Sequence, residues 1–175
     1  MGARLRLCPF GKQFDRESFD CGNEDLNRYL KQQISQDWKR SIAACFILVD
    51  DADEVRGYYT LSASGIQMTE LPREARKGLP HYRQLPATLL GRLAVDKRLH
   101  GKGWGSRLLS DAVKLAWRNR EEIGSWAVVV DAIDGQAAEF YEHFGFDRVL
   151  DGEERLFMPM KEIGKLMALS AASQT

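Results

Sequence analysis

The chain is poor in the residues that bind metals or cross-link a fold. Cys8, Cys21 and Cys45 are its only cysteines, odd in number and widely spaced. Neither a disulfide framework nor a zinc site follows, and three reduced thiols are expected. Histidine is equally scarce, and His81 and His143 lack ligand spacing, so no metal is expected. No apolar run approaches the roughly 20 residues of a membrane span. The opening MGARLRLCPFGK is too short and too polar for a secretory leader. Arg6 stands where a myristoylation signal needs Ser or Thr. A cytoplasmic location away from membranes is the expectation.

Net charge is also missing: 25 Lys and Arg balance 25 Asp and Glu. The balance is uneven along the chain. Residues 71–107 hold nine basic side chains and two acidic ones, while both flanks are net acidic. Such an island suggests an anionic partner.

What is present reads as mixed α/β in one domain, 1–160, followed by a tail, 161–175, either helical or disordered. Arg4–Pro9 alternates like a strand. Leu26, Tyr29, Leu30 and Ile34 fall at helical spacing, with Asn23 as cap. AACFILVDD and VRGYYTLSASGIQM form a hairpin about the acidic turn Asp50–Glu54. LPREARKGLPHYRQLP, with three prolines, is a long loop with a short helix near Glu74–Lys77; such loops often carry function. ATLLGRLAV and SWAVVVDAI are buried strands. Ser106–Arg120 is an amphipathic helix with Leu108, Leu109, Ala112, Leu115 and Ala116 inward. GQAAEFYEHFGF is a short helix closed at Gly145. DRVL and RLFMPM make a last hairpin.

The most informative stretch is RLAVDKRLHGKGWGSRLL. A buried strand meets Gly101, Gly103 and Gly105, and a helix starts at once. A helix N-terminus offers unpaired N–H groups and partial positive charge. Glycines before it allow positive φ and close approach of a ligand, so together they cradle a phosphate. The P-loop pattern is absent, and the dinucleotide fingerprint has different glycine spacing. Arg98-Leu-His-Gly101-Lys-Gly103 fits a third pattern, Arg/Gln-x-x-Gly-x-Gly/Ala, which binds the pyrophosphate of coenzyme A.

With AAEFYEHFGF (Ala137–Phe146), these residues make the chain resemble the GNAT superfamily of acetyl-CoA-dependent N-acetyltransferases over nearly its whole length. SFDCGNEDLNRYL, GYYTLSA, LPATLLGRLAVD and HGKGWGSRLL are together similar to the TacT-like acetyltransferase toxins. The resemblance implies a mixed, mostly antiparallel sheet splayed at the acetyl-CoA site and flanked by helices. It also implies acetylation of the α-amine of aminoacyl-tRNA, a block of translation, a ribbon-helix-helix antitoxin and a homodimer. Cofactor contacts carried over are Leu93, Ala94, Val95, Arg98, Gly101, Lys102, Gly103, Trp104, Gly105 and Ser106. His100 replaces a common glutamine, which leaves backbone donors intact.

The chemistry agrees with that set. An amine attacking a thioester develops an oxyanion, which needs a fixed donor; the resemblance puts a backbone N–H of Leu93–Val95 there. The leaving thiolate needs a proton, and Tyr141 stands at the family's tyrosine position. Its competing reading is an aromatic packed with Ala137, Phe140 and Phe144. No base is evident: Asp96, Asp131, Glu139 and Glu142 read as structural or solvated carboxylates. An α-amine with a pKa of about 8 is partly neutral near pH 7–8, whereas a lysine near 10.4 would need a base more urgently. Arg76, Lys77, Arg83 and Arg92 exceed what coenzyme phosphates need, so they are assigned to a tRNA backbone. Trp38 and Trp104 are expected to be packed. Two other readings are a GNAT enzyme for a protein or small amine, and a non-catalytic coenzyme-binding module.

Overall fold

The computed structural model describes residues 2–150 and 154–173; positions 174 and 175 of the expected tail lie outside them. Seven strands form one mixed sheet: β1 (Arg6–Pro9), β2 (Ala44–Val49), β3 (Val55–Gln67), β4 (Gln84–Val95), β5 (Ala127–Asp131), β6 (Asp147–Arg148) and β7 (Arg155–Pro159). Their order is β1-β2-β3-β4-β5-β7-β6. The chain divides into two compact units, each built from two stretches: residues 1–62 with 91–110, and 63–90 with 111–175.

In the first unit, β1 pairs antiparallel with β2, and β2 with β3. The expected hairpin turn is held by Asp50, whose Oδ1 accepts from the N–H groups of Ala52 and Glu54 at 2.9 and 3.0 Å. Asn23 caps α1 (Glu24–Arg28), accepting from Leu26 N–H at 3.0 Å. The single expected helix is interrupted: a π turn, Tyr29–Gln33, separates α1 from α2 (Ile34–Lys39). Arg16 Nη1 donates to the Leu30 carbonyl at 3.0 Å and to Ser35 Oγ at 3.1 Å. That donor satisfies a carbonyl in the widened turn, the kind of compensation a π bulge needs. The helices cover a core of Phe10, Phe19, Leu30, Ile34, Ile47 and Tyr58.

In the second unit, β5 pairs parallel with β4 over Ala87–Leu90 and antiparallel with β7. Val128, Val129 and Val130 are fully buried, as befits a strand with both faces covered. Ile66, Leu71, Leu85, Val129 and Phe157 make this unit's core. The short helix in the proline loop is α3 (Arg73–Arg76). α4 (Trp104–Arg118) starts two residues before the expected Ser106, and Val113 rather than Leu115 is buried on it. α5 (Gly135–Phe144) is capped by Asp134, which accepts from Ala137 N–H at 2.8 Å, and closes at Gly145. Met160–Ala172 is a helix, α6, with Met160 and Ile163 buried. No described helix is long and apolar enough to cross a membrane.

Candidate active site

The glycine turn has the geometry that its sequence promises. Gly101 and Gly103 take φ of +74° and +82°, values costly for any residue with a Cβ. A Cβ built on either would meet nothing within 4 Å. The backbone therefore borders open space, where a ligand can approach. The first bond of α4 runs from Arg107 N–H to the Gly103 carbonyl at 3.2 Å. The N–H groups of Trp104, Gly105 and Ser106 then have no acceptor within the helix. These donors, the helix dipole and the exposed Lys102 fit a pyrophosphate. Arg107 stacks on Trp104, its guanidinium carbon 4.3 Å from the ring centroid.

Arg98, expected at the cofactor, is held by a carboxylate next to the turn. Its side chain forks onto Asp96, with Nε to Oδ1 at 2.8 Å and Nη2 to Oδ2 at 2.9 Å. Asp96 is buried, and its carboxylate also accepts from the N–H groups of Arg98 and Asp20 at 3.0 and 3.1 Å. Burial alone would raise the Asp96 carboxyl, but the bonds from Arg98 and Asp20 outweigh it and hold it at about 2. Lys97 likewise pairs with Asp20 at 2.8 Å. The His100 ring nitrogen lies 2.7 Å from the Val95 carbonyl, and as an N–H donor it ties the turn back onto β4. Sequence reasoning missed this contact, because it read His100 only as a replaced glutamine.

Leu93, Ala94 and Val95 end β4, half-buried to buried. One residue earlier, Arg92 lies flat on Tyr29, its guanidinium carbon 3.6 Å from the ring centroid. Tyr29 donates its hydroxyl to Asp37 at 2.8 Å. Burial, then that bond, push the phenol above its usual range. Arg92 is thus held by an aromatic face in the first unit, whereas Arg76, Lys77 and Arg83 belong to the second.

In that second unit Tyr141 is buried at 9% exposure on the inner face of α5, beside Ala138. Phe140 and Phe146 meet its ring edge-on at 5.2 and 5.7 Å. Ala137, Phe140 and Phe144 are only half-buried, so the face centres on Ala138 and Tyr141. Burial pushes the phenol up to about 12. Its hydroxyl makes no hydrogen bond with described residues, yet it is not sealed from solvent. Tyr141 is therefore a protonated phenol whose hydroxyl has no partner among the described residues.

The proline loop places Arg73, Arg76, Lys77 and Arg83 around an open pocket of about 640 Å³. All four are exposed, and none pairs with a carboxylate among the described residues. The three cysteines are free, and burial raises each thiol, Cys45 to about 11. The described residues contain no group of three metal-ligating side chains. Trp38, expected to be packed, is 40% exposed with its ring edge-on to Phe10; Trp104 is half-buried.

Comparison with known proteins accords with this geometry. The acetyltransferase (GNAT) domain family matches residues 41–148. A tRNA-acetylating toxin of Mycobacterium tuberculosis is 31% identical over 153 residues, which span 87% of this chain and 90% of that protein. The structure of AtaT complexed with acetyl-methionyl-tRNAfMet superposes with a TM-score of 0.88 at 32% identity, covering 94% of this chain and 99% of that one. A mutant AtaT bound to the C-terminus of the antitoxin AtaR and acetyl-CoA gives 0.80 at 29% identity, covering 93% and 98%. The chain belongs to the GNAT family of acetyltransferases.

Proposed function

We propose that this N-acetyltransferase is a toxin that acetylates the α-amine of aminoacyl-tRNA and so stops translation. The observation that carries the acceptor assignment is the cluster of exposed cations at Arg73, Arg76, Lys77 and Arg83, which form no ion pair among the described residues. A polyamine acceptor would be repelled by such a surface, and a small neutral amine would not need it. The match to the tRNA-acetylating toxin and to tRNA-bound AtaT supports the same reading. The catalytic domain spans 1–160.

Acetyl-CoA supplies the acetyl group and departs as the thiol. Gly101, Lys102, Gly103, Trp104, Gly105 and Ser106 hold its pyrophosphate through backbone N–H groups and the lysine charge. Arg98 acts there through Asp96, keeping the turn in shape. A backbone N–H among Leu93, Ala94 and Val95 stabilises charge on the acetyl oxygen. The acceptor nitrogen gains a bond to the acetyl carbon and loses a proton as the carbon–sulfur bond breaks. Tyr141 gives its proton to the departing sulfur, and the proton shed by the nitrogen passes to solvent, from which the phenol is reprotonated. Its pKa of about 12 keeps it protonated throughout the working range. Arg76, Lys77 and Arg83 hold phosphates of the acceptor, with Arg92 beside the acetyl strand. The partner that silences the enzyme is a ribbon-helix-helix antitoxin, in keeping with AtaR-bound AtaT, and the working form is a homodimer.

Labelled acetyl-CoA and purified enzyme test this directly. Charged tRNA should take up label, and uncharged tRNA and free amino acids should not. Labelled protein or polyamine with charged tRNA untouched would leave the family and sink the toxin reading. Tyr141→Phe keeps the packing ring. It should lower single-turnover acetylation about 10²-fold or more at unchanged acetyl-CoA affinity.

A further inference from the structure

The pocket of the β3–β4 loop, which Glu74 and His81 line beside the cations, holds an aromatic ring that phosphate binding does not explain. Tyr82 stands in it with 62% of its surface exposed. A phosphate backbone needs only the cations around it. An aromatic face left open between cations suits a ligand that carries both a flat ring and a negative charge.

The loop is built to present that ring. Leu71 is fully buried, and Ala75 and Leu79 pack against the core of the second unit. Leu79 N–H donates to the Arg76 carbonyl at 3.1 Å, and Tyr82 N–H to the Pro80 carbonyl at 2.9 Å. Met68 N–H donates to the Arg83 carbonyl at 2.9 Å. Tyr82 and Arg83 thus stand on a backbone pinned at both ends, with little ordering left to cost affinity on binding.

Bases in a duplex are already stacked and cannot use such a ring; an unpaired base can, with its phosphate on a neighbouring guanidinium. We propose that Tyr82 is a stacking platform for an unpaired nucleotide at the single-stranded end of the charged acceptor RNA, with Arg76, Lys77 and Arg83 on its phosphates. The proposal rests on aminoacyl-tRNA being the acceptor, and adds that the enzyme selects for an unpaired end beyond duplex charge.

The test compares the full-length wild type with Tyr82→Ala and Tyr82→Trp on charged tRNA at several salt concentrations. Tyr82→Ala should raise KM about tenfold, the order expected for one lost base stack. The dependence of KM on salt should stay unchanged, because no phosphate contact is lost. Tyr82→Trp should keep KM near the wild-type value. The KM for acetyl-CoA should stay level in both variants, as an intact fold requires. A 2-aminopurine placed in the unpaired end should be quenched on binding wild type and less so with Tyr82→Ala. An unchanged KM in Tyr82→Ala, a steepened or flattened salt dependence, or an equal loss in Tyr82→Trp would overturn the stacking role. Failure of the wild type to acetylate charged tRNA would overturn the acceptor assignment itself, and the stacking role with it.

Discussion

Two basic stretches lie within residues 71–107, and the fold treats their charge in opposite ways. Around the glycine turn, Lys97 and Arg98 are exposed but paired, with Asp20 and the buried Asp96 respectively, and Arg107 lies on Trp104. Lys102 is exposed and pairs with no carboxylate among the described residues, so the proposed grip on a phosphate rests mainly on backbone donors. In the proline loop, Arg73, Arg76, Lys77 and Arg83 form no ion pair among the described residues and are exposed to water. A count of charges makes the stretches look alike. Only the partners tell that one uses its cations to shape a loop and the other offers them to a partner. Backbone donors at fixed spacing suit a small phosphate of constant shape. A field of mobile cations suits a large polyanion whose outline varies.

The comparison breaks most completely at Gly103. Gly103→Glu puts a Cβ at a φ of +82° and a carboxylate in the phosphate space. Acetyl-CoA affinity should fall at least about 100-fold by calorimetry. Retained affinity would mean that the glycines serve only the chain's turn. The next effect belongs to the other stretch. Reversing Arg76, Lys77 and Arg83 together to Glu should raise the KM for charged tRNA about 30-fold and flatten its salt dependence. Acetyl-CoA affinity should hold, and a mixed effect would show that the two stretches share a ligand.

Asp96→Asn sharpens the comparison at a smaller scale. It removes the carboxylate that orders the turn, so it should cost about 2 kcal/mol of stability at pH 7 and weaken acetyl-CoA several-fold. The pH dependence follows from a carboxyl held at about 2 against an ordinary 3.8. A depressed pKa stabilises the fold fully above the ordinary value and loses that stabilisation as pH falls toward 2. Urea midpoints for wild type and variant should therefore converge between pH 4 and pH 2. The smallest effect is expected at Lys97→Gln, which opens an exposed pair with Asp20. Acetyl-CoA affinity should stay within about twofold; a larger loss would mean that Lys97 turns outward to the phosphate.

The strands and the glycine turn were legible because each carries its own local signal. Buried β-branched runs gave β5, and alternate glycines before an amphipathic run gave the mouth of α4. The acidic turn at Asp50 and the caps at Asn23 and Asp134 follow from side chains that bond to their own neighbourhood. What escaped depends on distant residues. The π turn at Tyr29–Gln33 is supported by Arg16, which lies outside the helix. The bond from Arg98 to Asp96 was not legible because it depends on the backbone turn between them. The stacking of Arg92 on Tyr29 joins residues far apart in the chain and has no local signal. Tyr82 carried no pattern at all, since exposure is decided by what the rest of the chain leaves uncovered.

The packing of α6 gives the molecule a built-in optical gauge. A Cβ on Gly164 would lie 3.0 Å from the indole nitrogen of Trp117, so the helix passes close over that ring. The Trp117 ring also carries the Arg120 guanidinium, whose carbon is 3.9 Å from the centroid. In a variant that keeps Trp117 as its single tryptophan, with Trp38, Trp104 and Trp126 replaced by Phe, a red shift of emission on heating should time the departure of the C-terminal helix against the collapse of the sheet.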